Sequence, residues 1–153
     1  MLAEIRSAES ADAKSISSLI LQLAPYCYAE PSGKGAERFL ARISEKAITE
    51  FIGDPAYYYI VALHQGVVVG AASMRNAKHL YHFFVTPQFH RQGIGKALWQ
   101  NLQIYSAALG NQGRYTVNSS TYAIPVYRQL GFAVSGEQQT ANGVTFQPME
   151  LRT

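Results

Sequence analysis

The chain has 153 residues, 48% of them hydrophobic and 15% charged, with a formal net charge of +3 at pH 7 and a single cysteine, Cys27. That length suits one domain able to bury a proper core, and the composition is globular rather than disordered. It leaves no internal disulfide, no apolar run near the ~20 residues of a membrane-spanning helix, and basic residues too scattered for a nucleic-acid surface.

In chain order, residues 2–7 read as a short first strand. The opening residues are too polar for a signal peptide, so a cytoplasmic protein is the expectation. Over 12–23, Ile16, Leu19, Ile20 and Leu23 recur at helical spacing, and Pro25 stops the run. Residues 26–33 form a loop with two tyrosines. One continuous helix is expected over 35–52, with Phe39, Ile43, Ala47 and Phe51 on its apolar face. Residues 57–63 and 67–74 are β-rich and flank His64-Gln65-Gly66, a hairpin signal. The run 78–85 is almost wholly apolar, as in a central strand covered on both sides. A helix follows through Ile94, Ala97, Leu98, Asn101, Leu102 and Tyr105 and closes near Gly110. A strand over 114–118 precedes a short helix over 122–130, with Pro125 in its first turn. Two last strands flank Asn142-Gly143, a favoured hairpin pair. The order is β-α-α-β-β-β-α-β-α-β-β, one α/β domain over 1–153. Cys27 is expected as a small buried hydrophobe rather than a nucleophile.

The most informative stretch is 85–98, Val-Thr-Pro-Gln-Phe-His-Arg-Gln-Gly-Ile-Gly-Lys-Ala-Leu. A strand ends at a proline, a polar loop comes next, and Gly93 and Gly95 open a helix. Helix-start amides lack intrahelical partners and carry the positive end of the dipole, so this order makes an anion site. It is not a P-loop: position 90 is His90 rather than glycine, and Gly95-Lys96 is followed by Ala97. Nor is it a dinucleotide fingerprint, because Leu98 stands at the third glycine.

The segment resembles the acetyl-CoA pyrophosphate loop of the GNAT superfamily of N-acetyltransferases. Val85-Thr86-Pro87 matches the family's V-x-P. His90-Arg91-Gln92-Gly93-Ile94-Gly95 matches its [Q/R]-x-x-G-x-[G/A], with His90 where Gln or Arg is usual. A second match is Asn118, Tyr127 and Leu130-Gly131-Phe132, similar to the family's later strand-end and helix motif. The resemblance implies a mixed, mostly antiparallel sheet with helices on both faces. It implies acetyl transfer from acetyl-CoA to a small-molecule or protein amine in a ternary complex, by a monomer or homodimer without metal, nucleic acid or membrane. Cofactor contacts would come from Phe84, Val85, His90, Arg91, Gln92, Gly93, Ile94, Gly95, Lys96, Ala97, Asn118 and Tyr127. Either His90 or Arg91 would face the pyrophosphate, and the amide of Phe84 or Val85 would meet the oxyanion.

By the same resemblance Tyr127 protonates the leaving thiolate, a role open to a phenol of pKa ~10. The general base is left open among His79, Tyr81 and His82, with a water chain as the alternative. Strand alternation would place His79, Tyr81, Phe83 and Val85 on one face and His82 on the other, which favours His79. The acceptor wall is expected from the 25–33 loop, Tyr57, Tyr58, Tyr59 and the last hairpin. The non-enzymatic alternative is a catalytically weak acyl-CoA-binding sensor.

Overall fold

The computed structural model describes residues 3–153. The strands are β1 (Glu4–Ser7), β2 (Tyr57–His64), β3 (Val67–Arg75), β4 (His79–Val85), β5 (Arg114–Ser119), β6 (Ala133–Val134), β7 (Gln139–Ala141) and β8 (Val144–Arg152). The helices are α1 (Ala13–Leu23), α2 (Glu37–Ala41), α3 (Glu45–Gly53), α4 (Ile94–Ala108) and α5 (Ile124–Gln129). Leu2, expected to open the first strand, lies outside the described residues together with Met1.

The helix expected over 35–52 is instead two helices. Ser44 takes an extended conformation and its hydroxyl accepts from the Ala47 N–H, capping α3. The apolar stripe survives the break, with Ile43 and Ile48 fully buried. The two-residue β6 carries too little pattern to be read from sequence. Most other boundaries fall within two residues of those expected. Both hairpin pairs behave as their residues require: Gln65-Gly66 and Asn142-Gly143 have positive φ throughout.

The sheet runs β1-β2-β3-β4-β5-β8-β6, with β7 paired to β8. Every pairing is antiparallel except β4 with β5. Two apolar layers sandwich it. Ile16, Ile20 and Ile48 of α1 and α3 pack against Val61 and Ala71. Leu98, Trp99, Leu102 and Tyr127 of α4 and α5 pack against Ala72, Leu80, Val117 and Met149 on the other face. Each fully buried Leu or Ile contributes about 1.5–3 kcal/mol of hydrophobic stabilisation. β4 lies at the middle of the sheet between these layers, and β5 follows it on the α4 side. Among the described residues no helix is long and apolar enough to cross a membrane.

Candidate active site

β4 and β5 begin side by side and then part. Their ladder covers only His79–Thr116 and Leu80–Val117. Beyond it, β4 has no strand partner on that side among the described residues, and a cavity of about 890 Å³ fills the gap. Residues 81–85 of β4 line it, facing Asn118 and Tyr127. The loop after β4 and the first turn of α4 close one end, and Tyr26 and Cys27 stand at the other wall.

At the loop end the ligand-facing groups are backbone. Gly93 caps α4 with φ 82°, a left-handed conformation costly for a residue with a Cβ. The first helical bond is Ala97 N–H to the Gly93 carbonyl, at 3.0 Å. The N–H groups of Ile94, Gly95 and Lys96 are therefore free of the helix, at the positive end of a 15-residue dipole. Gly95 has an ordinary backbone. A Cβ there would sit 3.6 Å from the Phe83 ring, so a longer side chain would grow into the cavity.

His90 and Arg91 are both exposed and both line the cavity. The His90 Nε2 lies 2.7 Å from the Val85 carbonyl. A carbonyl only accepts, so this nitrogen carries the proton and the ring ties the loop to the strand end. The strand end also distinguishes Phe84 from Val85. Thr86 N–H donates to the Val69 carbonyl at 2.8 Å, and His82 N–H to the Ser73 hydroxyl. Backbone groups alternate sides along an antiparallel ladder. Those of Phe84 therefore point to β3, and those of Phe83 and Val85 to the cavity.

Tyr127 is placed by the end of its helix. Gly131 takes φ 103°, and Phe132 N–H returns to the Tyr127 carbonyl at 3.0 Å, a Schellman closure. The Phe132 ring then meets the Tyr127 ring edge-on at 5.7 Å. The phenol has no hydrogen-bond partner among the described residues. No fully buried side-chain polar atom there is unpartnered, so its Oη reaches the cavity. Burial pushes this phenol well above its usual pKa, with Cys27 adding to the rise. Burial also pushes the Cys27 thiol up to about 11.

The middle of β4 overturns the expected alternation. Ser73 pairs with His82 and Met74 with Leu80, so Tyr81 is a bulge with no opposite residue. The bulge inverts the facing of everything after it. Leu80, Phe83 and Val85 join the α4 layer, whereas Tyr81 and His82 both meet the Phe51 ring on the α3 side. His79 does not share a face with Val85. Its Nδ1 contacts the Thr116 hydroxyl at 2.8 Å, and it lies outside the cavity lining.

The three candidate bases are thus unequal. His82 Nδ1 contacts the Tyr59 hydroxyl at 2.8 Å, and the ring borders the cavity. Burial, helped by the Arg42 charge, pulls it down to about 3. Burial and the Arg75 charge pull His79 down to about 4. Tyr81 accepts from Arg42 Nε at 2.7 Å, and burial still raises its pKa. Neither imidazole holds a proton at neutral pH, and the phenol does not release one. Arg42 was not visible from sequence as a site residue; its i, i+4 spacing from Arg38 was the available signal. Of the expected acceptor wall, Tyr26 and the hairpin residues Asn142 and Val144 do line open space. Tyr58 instead stacks on Tyr105 at 3.7 Å, and Tyr59 is core. Among the described residues no three His, Cys, Asp or Glu side chains cluster as metal ligands would.

A family profile described as an acetyltransferase (GNAT) domain matches residues 27–153. No curated protein matches the chain. Among solved structures, a GCN5-related N-acetyltransferase from Rhodopseudomonas palustris superposes with a TM-score of 0.80 at 21% identity, over 100% of this chain and 97% of that one. The PaiA N-acetyltransferase of Thermoplasma acidophilum, in complex with coenzyme A, gives 0.80 at 16% identity, over 100% of both chains. A phosphinothricin acetyltransferase from Sinorhizobium meliloti, in complex with AcCoA, gives 0.67 at 23% identity, over 98% of this chain and 88% of that one. At these identities the structural likeness establishes the fold.

Proposed function

The chain belongs to the GNAT acetyltransferase family, and from that premise we propose that it moves the acetyl group of acetyl-CoA directly to a primary amine, with both substrates held in the β4–β5 cleft at once. The observation that carries this reading is the cavity itself. It brings the free N–H groups of Gly95 and Lys96 into one space with the Val85 N–H and the Tyr127 hydroxyl.

In this reading the pyrophosphate of acetyl-CoA sits at the start of α4, with the Arg91 guanidinium beside it and His90 tying the loop to the Val85 carbonyl. Gln92 and Ala97 shape the same turn. The pantetheine arm runs down the gap past Asn118. The thioester carbonyl meets the Val85 N–H, which stabilises the oxyanion that forms when the amine attacks. The C–S bond then breaks. Tyr127 gives a hydrogen bond to the departing sulfur. Its raised pKa, above the ~8.5 of a thiol, means that it shares rather than surrenders its proton. The proton that ends on sulfur comes from the nitrogen, which must lose one in becoming an amide.

The amine must first arrive without its extra proton. His79 is outside the cleft, and His82 is too acidic as an imidazolium to take the proton and keep it. Deprotonation therefore goes to water through the open cleft. Direct transfer fits the side chains present: the one thiol in the cleft, Cys27, is held protonated at neutral pH and makes a poor acyl carrier. The test is free-thiol release from acetyl-CoA with and without a panel of amines. Amine-dependent release, with intersecting rather than parallel initial-velocity lines, supports ternary-complex transfer. Release that ignores every amine, or none at all while acetyl-CoA binds, would replace it with the sensor reading.

A further inference from the structure

Next to the cleft lies a second cavity of about 630 Å³. The two share Phe39 and Tyr81 as lining residues, so they meet at the middle of β4. Three of the second cavity's lining side chains are arginines: Arg38 and Arg42 from the α2 segment and Arg75 from the end of β3. No acidic residue lines it. Among the described residues the only ion pairs are Arg6–Asp12 and Arg152–Glu150, both elsewhere. Arg42 is also oriented. Its Nε donates to the Tyr81 hydroxyl, and its guanidinium lies 5.4 Å from the Phe51 ring centre and 5.7 Å from that of Tyr81. The Tyr57 phenol is a further neighbour of the same guanidinium. The Arg75 guanidinium lies 6.0 Å from the Tyr81 ring.

We infer that this arginine pocket selects the acceptor: the substrate is a small primary amine that also carries an anionic group, a carboxylate or a phosphate-type oxyanion. Resting on the transfer reading above, this names which amine the cleft takes. Guanidinium forks match the paired oxygens of such groups. Three unneutralised positive charges also repel polycationic amines, which is discrimination by exclusion. The placement suits the reaction. An anion held at Arg42 and Arg75 leaves the amine at the Tyr81 junction, facing the strand end where the thioester lies.

The test compares matched pairs by free-thiol release: an α-amino carboxylate against its primary amide, and an aminoalkyl phosphonate against the plain aminoalkane. The anionic member of at least one pair is expected to have the higher kcat/KM, and the pair that responds identifies the anion. Arg75→Gln is expected to cut that anionic-to-neutral ratio by about tenfold, the worth of one charge-assisted bond. Arg75→Lys, which keeps the charge but loses the fork, should fall between the wild type and Arg75→Gln. Equal acetyl-CoA affinity in all three proteins, by calorimetry, shows that the variants are folded. A wild type that prefers neutral or polycationic amines, or a ratio unchanged in Arg75→Gln, overturns this inference alone. No amine-dependent release from any compound overturns the transfer reading beneath it as well.

Discussion

At the loop end of the cleft the groups on offer are mainly backbone, the N–H groups of Gly95, Lys96 and Val85, with the exposed Arg91 side chain beside them. At the Tyr81 end they are side chains, guanidinium groups from the α2 segment and β3 gathered around one phenol. The first kind of site needs a strand, a loop and a helix in immediate succession, so its design is local. The second is assembled by the fold from residues 38, 42, 75 and 81. A backbone site fixes one chemistry, a phosphate-bearing cofactor, whereas a side-chain site is free to vary with the acceptor. Substitutions at the two ends should therefore fail in different ways.

The largest effect is expected where an anion is placed in the backbone site. Gly93→Asp and Gly95→Asp should each lower acetyl-CoA affinity by about 100-fold or more in calorimetry, by setting a carboxylate against the pyrophosphate at a helix N-terminus. Gly93→Asp carries the added strain of a left-handed Asp. Between the two ends stands Tyr127, proposed above to act on the leaving group. Tyr127→Phe should reduce kcat by about tenfold or more with little change in acetyl-CoA affinity, the signature of a group used in the transition state. Wild-type turnover in that variant would make the phenol a packing residue.

The acceptor end carries a pH signature of its own. His82 sits at about 3 in the folded protein, against about 6.5 when unfolded. Between those values the unfolded chain binds more protons, so stability is lost as pH falls below about 6.5, at a slope of about 1.4 kcal/mol per pH unit from this one group. His79, pulled down to about 4, adds a like slope over the same range, so His82→Gln should reduce the slope of denaturation midpoints between pH 7 and pH 4.5 without abolishing it. The smallest effect is expected at His79. Because it faces away from the cleft, His79→Ala should change kcat/KM by less than about twofold, and the pH–rate profile of both proteins should follow the acceptor amine with no added inflection near 6.5. An inflection that disappears with His79 would restore it as the base.

The same contrast explains what was legible in the sequence. The order of elements, the two Asn/Gln-Gly turns and the 85–98 loop all depend on residues close in sequence, and they were readable. So was Tyr127, because the Leu130-Gly131-Phe132 closure that positions it is local. The errors came from pairing. The bulge at Tyr81 depends on how β4 registers against β3, which periodicity does not contain, and it reversed the facing assigned to His79. The break at Ser44 was readable in principle from a capping serine but was outweighed by a continuous apolar stripe. The arginine pocket was hidden because its members lie on separate elements. It resembles no motif and shows only in the folded chain.

The most direct measurement is a calorimetric titration of acetyl-CoA into Gly93→Asp and Arg75→Gln beside the wild type. If the two ends are separate in construction and role, Gly93→Asp loses the cofactor and Arg75→Gln binds it with wild-type affinity. Unchanged affinity in Gly93→Asp, or a comparable loss in Arg75→Gln, would contradict a cofactor site built from the backbone at the start of α4.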